Sequence, residues 1–191
     1  MERRVRPAGT TERTYRFRCY PNPVQSQQLH RTFGACRWVY DQGLELRSSA
    51  WRQHHLRIGY TESCRALTGW RNTEETGWLR EISSVALQQS LRHLDNAYNR
   101  FFRGSARHPQ RKRKHRAKDA ATYVQAGVGF RWAADGDRPG AGRLTLAKMA
   151  EPLDIRWSRP LPAGAVPRKQ EPPPARVGNP GRSRRGEVKK R

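Results

Sequence analysis

Two acidic pairs, Asp135/Asp137 and Glu74/Glu75, are the first residues to weigh for hydrolytic chemistry. A metal-dependent nuclease holds carboxylates together around its cations. Asp135 and Asp137 flank Gly136, with Pro139 and Gly140 close behind, and that composition predicts a turn. Glu74 and Glu75 lie in a polar stretch and are expected to face solvent. Of the histidines His30, His54, His55, His93, His108 and His115, only two are adjacent, and neighbours on a helix point in different directions. Cys19, Cys36 and Cys64 are far apart and form no C-x-x-C pair, so reduced, half-buried thiols are expected. No catalytic residue, metal site or cofactor is assigned on these grounds.

The cationic residues carry more information. The chain has 39 Lys+Arg against 16 Asp+Glu over 191 residues, a formal net charge of +23. Such an excess repels itself in a compact state unless a polyanion neutralises it. Arginine dominates, and its planar fork suits phosphate oxygens and base edges. The densest run is RHPQRKRKHRAK at 107–118, with seven Lys/Arg, two His and no acid. Its Arg107, Arg111, Lys112, Arg113, Lys114, Arg116 and Lys118 are expected to contact phosphates, against the alternative of a merely solvated linker. Arg16 and Arg18 join them from an alternating segment near the N-terminus. Arg37 stands open between nucleic-acid contact and a structural salt bridge, for instance with Asp41 one turn on. Trp38 and Trp51 are open in the same way, between stacking on bases and packing at the rim of the core.

These residues need elements to hold them. TYRFRCY at 14–20 alternates Tyr15, Phe17 and Cys19 with Arg16, Arg18 and Tyr20, a strand pattern with one apolar and one basic face. Asn22, Pro23 and Gln25 form a helix start with a capping box. Leu29, Phe33, Cys36, Tyr40 and Leu44 follow on one helix face, predicting a helix to about Trp51 or His55. Gly34 and Gly43 inside it suggest close packing against a neighbour. Thr61 is a candidate cap for a short helix through Leu67, and Trp78, Leu79 and Ile82 are candidate core anchors. A second long helix is predicted from Ser83 or Ser84, striped by Leu87, Leu91, Leu94, Tyr98 and Phe101, with Phe102 beside it and Gly104 past its end. Short strands are then expected at 122–124, 130–132, 143–146 and 153–157. Residues 168–191 hold nine Lys/Arg and four Pro but only three apolar residues, and are expected to be disordered.

The stretch PNPVQSQQLHRTFGACRWVYDQGLELR resembles the opening of the TnpB family, the OrfB proteins of small bacterial insertion sequences. Pro21, Gln25, Leu29, Gly34, Arg37 and Tyr40 match its pattern, while Asp41 replaces the usual Asn. WLREISSVALQQSLRHLDNAYNRFFRG at 78–104, with Trp78, Leu91, Leu94, Phe101 and Phe102, looks like the family's second helical block. The resemblance covers about residues 13–167. It implies DNA and RNA contacts, with a helical lobe, traditionally described as a helix-turn-helix, and a small barrel holding an RNA scaffold and the element end. It also implies a RuvC-like nuclease and a zinc ribbon C-terminal to everything here. The chain reads RKQEPPPARVGNPGRSRRGEVKKR where the family continues into a strand, which looks like a frameshifted or truncated end.

The expected fold is therefore α+β: two long amphipathic helices and a short one, inserted in a small, incomplete β-barrel or sheet. The expected divisions are an arm at 1–12, a first strand at 13–21, a helical domain at 22–105, a basic linker at 106–120, further strands at 121–167 and a tail at 168–191. The expected function is nucleic-acid binding by a truncated, transposase-derived protein without nuclease activity of its own. Its expected partners are DNA and/or a transposon-derived RNA, with no membrane and no small-molecule substrate, in the bacterial cytoplasm and at the nucleoid when DNA-bound. The alternatives are a non-functional remnant of a frameshifted transposase gene and a general basic RNA-binding protein. Oligomeric state stays open.

Overall fold

The computed structural model describes residues 14–113, 119–138, 140–162, 165 and 169–170. The expected N-terminal arm and most of the tail lie outside them, as do Lys114, Arg116 and Lys118. In chain order the elements are β1 (Arg18–Cys19), α1 (Pro23–His54), α2 (Tyr60–Asn72), a 3-10 turn (Gly77–Glu81) and α3 (Ser84–Phe102). Then come β2 (Tyr123–Val124), β3 (Phe130–Ala134), β4 (Gly142–Leu146), β5 (Ile155–Arg156) and β6 (Lys169–Gln170). Lys169 and Gln170 pair with Val124 and Tyr123, so the segment expected to be disordered from 168 begins with a strand.

Helix α1 starts where its sequence says. The Gln25 backbone N–H donates to Asn22 Oδ1 at 2.8 Å, and the Asn22 N–H donates to Gln25 Oε1 at 3.1 Å. Gln25 has a second task that spacing did not reveal: its Nε2 donates to the Pro152 carbonyl at 2.9 Å, tying the helix start to the approach of β5. At 32 residues α1 is a rod of roughly 48 Å. It ends on His55 in the left-handed conformation (φ 52), a position usually taken by glycine. Helix α2 is capped by Gly59 rather than Thr61, whose place is inside the first turn; the Gly59 N–H donates to Glu62 Oε2.

The expected stripes are buried: Leu29, Phe33, Cys36, Tyr40 and Leu44 on α1, and Leu87, Leu91, Leu94 and Tyr98 on α3. The two helices meet closely at Gly43, where an added Cβ would stand 2.8 Å from Leu91 Cδ2 and 3.1 Å from Leu94 Cδ2. Gly34 faces open space instead, so it is not a packing glycine. Arg47 is buried and joins the three helices, donating to Ser63 Oγ at 3.2 Å and to Asp95 Oδ1 at 3.0 Å. Leu79 and Ile82 are buried anchors, but Trp78 is 41% exposed and Phe102 71% exposed. Trp78 meets Trp38 in a T-shaped arrangement, at 5.9 Å between ring centroids.

The helical segment is inserted in the sheet region, because β1 before it pairs antiparallel with β5 after it. Among the described residues the strands form two-stranded ribbons, β1–β5, β2–β6 and β3–β4, and no closed barrel. Tyr123, Phe130, Leu146, Met149 and Leu153 from this region share one core with Phe33, Val39, Leu87 and Leu91 of the helices. Among the described residues no helix is long and apolar enough to cross a membrane.

Candidate nucleic-acid interface

Alternation builds the first candidate surface. Tyr15, Phe17 and Cys19 are half-buried, while Arg16, Arg18 and Tyr20 are exposed. The inward side is fixed by an aromatic series: Phe17 lies 4.7 Å from Trp157, and Trp157 lies 5.4 Å from Trp132. With that side fixed, the arginines have one direction to point. The strand register sets Arg18 directly across from Arg156, and the bond from the Tyr20 N–H to the Asp154 carbonyl at 2.8 Å extends it. Like charges directly opposite on one face of a ribbon are unfavourable by themselves. Among the described residues neither arginine makes an ion pair with a carboxylate.

The second candidate surface, the basic run, is arranged differently. After Gly104 (φ +71) ends α3, the chain returns along α1. His108 sits against the rings of Tyr98 and Phe101 at 5.5 and 5.2 Å. Arg111 pairs with Glu45 at 2.7 Å, and this pairing holds the Glu45 carboxyl below its ordinary range. The Lys112 backbone N–H donates to Asp41 Oδ1 at 2.9 Å, and its ammonium lies 4.2 Å from the centre of the Tyr40 ring. Burial lowers the Lys112 ammonium's pKa, and the facing Cys36 and Asp41 oppose that shift. Arg107 and Arg113 are exposed and make no ion pair among the described residues.

Arg37 is 18% exposed at its side chain and pairs with Asp119 at 3.2 Å. The Asp41 partner considered for it is instead occupied by the Lys112 N–H. Trp38 packs edge-on against Trp70 at 5.6 Å, and Trp51 against His55 at 5.5 Å. Thus Arg16 and Arg18 share an open face, Arg107 and Arg113 stand elsewhere, and Arg37, Arg111 and Lys112 are engaged by groups of the protein itself. Arg156 was not singled out in the sequence. The alternation in LDIRW puts it on the polar side of its strand, but only the register shows Arg18 opposite.

Several acids are engaged one by one within the protein. Glu81 pairs with Arg31, Asp95 with Arg47 and Asp119 with Arg37. The Asp137 N–H donates to Asp135 Oδ1, which makes that pair a turn. Among the described residues no group of three or more His, Cys, Asp or Glu is arranged to hold a metal ion. Cys36 is a buried free thiol whose pKa burial pushes up to about 11.

The described residues thus form a β-ribbon, interrupted by a helical insertion, with an arginine face. Comparison with known sequences gives the class. A helix-turn-helix domain of the OrfB/IS605 type matches residues 11–55. A Streptomyces pristinaespiralis protein named "Putative RNA-guided DNA endonuclease" is 46% identical over 156 residues, covering 82% of this chain and 37% of that protein. InsQ of Escherichia coli (strain K12), with the same description, is 34% identical over 111 residues, covering 58% of this chain and 27% of that protein. "Virulence protein VsdF" of Salmonella dublin is 33% identical over 105 residues, covering 50% of this chain and 88% of that protein. The chain belongs to the TnpB/OrfB family. It spans little more than a third of the length of the Streptomyces relative. Within the matched stretch, the described residues form strand β1 and the single helix α1, with the turn to α2 beginning only at His55.

Proposed function

We propose that this chain binds DNA and a transposon-derived RNA through the arginine face of β1 and β5. Arg107 and Arg113 extend the contact from the edge of the basic run, together with Lys114, Arg116 and Lys118. The observation that carries the reading is the register pairing of Arg18 with Arg156, two exposed like charges that a phosphate backbone would neutralise. The helix-turn-helix match and the relatives named as RNA-guided DNA endonucleases support the choice of partners. Recognition of shape and phosphates suits this face better than insertion of a reading helix. Helix α2, the element a helix-turn-helix would send into the groove, carries Glu62 beside Arg65 and Arg71 rather than a basic face. On this reading the chain binds and does not cut: Asp95 and Asp119 pair with arginines and Asp135 closes a turn. A DNA-bound chain of this kind works at the nucleoid, in the cytoplasm.

The test is a salt titration of the purified chain with duplex DNA and with the RNA transcribed from the element that encodes it. The logarithm of affinity is expected to fall linearly with the logarithm of salt, by roughly 0.9 per phosphate neutralised on duplex. Affinity for the element RNA should exceed that for random RNA; equal affinity for all RNAs would favour a general basic RNA-binding protein. Cleavage of target DNA by the same preparation would overturn the division between binding and cutting.

A further inference from the structure

The arginine face of β1 runs into a cleft of about 790 Å³. Its walls come from different parts of the sheet region: Arg138, Gly140 and Ala141 from the β3–β4 turn, and Asp154 to Pro160 from β5 and beyond. They are tied together by the Leu161 N–H, which donates to the Gly140 carbonyl at 2.8 Å. Gly140 is required there. Its φ is +80, and an added Cβ would stand 2.5 Å from Pro160 Cβ.

Three arginines, Arg138, Arg156 and Arg159, line this cleft with one carboxylate, Asp154. None of the three makes an ion pair with a carboxylate among the described residues. Tyr20 lines the same cleft at the end of β1 and is 51% exposed. Trp157 also reaches it, but Phe17 and Trp132 already pack on that indole. Tyr20 has no ring partner among the described residues, so it is the aromatic surface left for a ligand. Cationic forks beside a free aromatic face fit a phosphate joined to a flat ring. The volume lies within the range of small-ligand sites, roughly 300–1,000 Å³.

We infer that this cleft takes one unpaired nucleotide of a single strand, its phosphate on Arg156 and Arg159 and its base on Tyr20. The inference rests on the nucleic-acid reading above and adds the strand state to it. In a duplex both faces of each base are covered by stacking, and only an unpaired base can offer a face to Tyr20. Asp154 at the same mouth can accept a hydrogen bond from the amino edge of a base.

The test uses the full chain with labelled twelve-nucleotide oligo-dT and oligo-U, the same strands with abasic positions, and a duplex of equal length. Both base-bearing strands should bind roughly five- to a hundred-fold more tightly than their abasic counterparts. Tyr20→Leu should abolish that preference and Tyr20→Phe should keep it. Arg156→Gln should weaken base-bearing and abasic strands alike, leaving the ratio between them. Oligo-dT and oligo-U separate the two sources of the strand, and a preference between them assigns it to DNA or RNA. Equal affinity for abasic and base-bearing strands, or an unchanged preference in Tyr20→Leu, overturns the cleft while leaving salt-dependent duplex binding intact. Loss of salt-dependent binding to every nucleic acid would instead overturn the function proposed above.

Discussion

The basic run and the β1–β5 face carry the same residue types and treat them in opposite ways. In the run, Arg111 has Glu45, and Lys112 has Asp41 at its backbone and Tyr40 at its ammonium. On the ribbon, Arg18 has only another arginine across from it. The difference teaches that charge density along the sequence does not locate a binding face. Carboxylates on a neighbouring helix can engage part of a dense run, as Glu45 engages Arg111, whereas a sparse alternation on a strand keeps every second cation outward. The run straps the C-terminal end of α3 onto α1, and the ribbon keeps its charge for something outside the protein.

Substitution pairs that separate affinity from stability can break that comparison. The largest effect is expected from Arg16, Arg18 and Arg156 changed together to Gln. Each phosphate contact removed should lower the salt slope by about one, so affinity at physiological salt should fall by one to two orders of magnitude, roughly. The melting temperature should not fall. Relief of the Arg18–Arg156 repulsion should stabilise the chain by about 0.2–1 kcal/mol. Measured together by salt titration and thermal unfolding, a loss of stability without a loss of affinity would reverse the roles assigned to the two regions.

The strap should answer with the opposite sign. Asp41→Ala removes the acceptor of the half-buried Lys112 N–H and should destabilise the chain by about 1–2 kcal/mol. Lys112→Ala should also cost stability, because its ammonium lies over the Tyr40 ring. Neither should lower affinity for duplex DNA more than a few-fold, in the same salt titrations used for the ribbon. Arg111→Gln is expected to change stability by less than about 1 kcal/mol, since both it and Glu45 are largely exposed. A ten-fold loss of binding in Lys112→Ala with unchanged stability would show that Lys112 meets the phosphates and does not serve the strap.

Local signals were legible in the sequence where a single element decides the outcome. Asn22 and Gln25 close the cap they spell, and the Leu29 to Leu44 stripe is the buried face of α1. The alternation at 14–20 gives the correct outward arginines. What stayed hidden depends on how distant elements meet. The partner of Arg37 is Asp119, 82 positions away and beyond any helical spacing rule. Gly34 and Gly43 read alike, yet only Gly43 faces Leu91 and Leu94, because helix crossing rather than glycine itself chooses the contact. Arg156 gains its meaning from a register set by pairing across the whole helical insertion. Arg138 and Arg159 line one cleft that the chain spacing does not suggest.

The smallest effect concerns Glu45, which accepts from Arg111 and Arg52 and so couples the strap to acid. Hydrogen bonding and charge attraction, first from Arg111, lower its carboxyl pKa in the folded chain. A carboxyl with a depressed folded pKa binds fewer protons folded than unfolded. Its contribution is therefore fully present above the unfolded value of 4.5 and is lost as pH falls through the lower folded value. Acidification over that window should loosen the strap before the α1–α3 core, whose contacts are mainly apolar. Hydrogen exchange of backbone amides in residues 106–113 should accelerate relative to those of α3 as pH is lowered from 5 to about 3, after correction for intrinsic rates. Glu45→Gln should show the looser strap already at pH 7 and no further acid step in those amides. If wild type and Glu45→Gln respond to acid alike, the ion pair with Arg111 holds nothing, and the strap rests on Asp41 and Tyr40 alone.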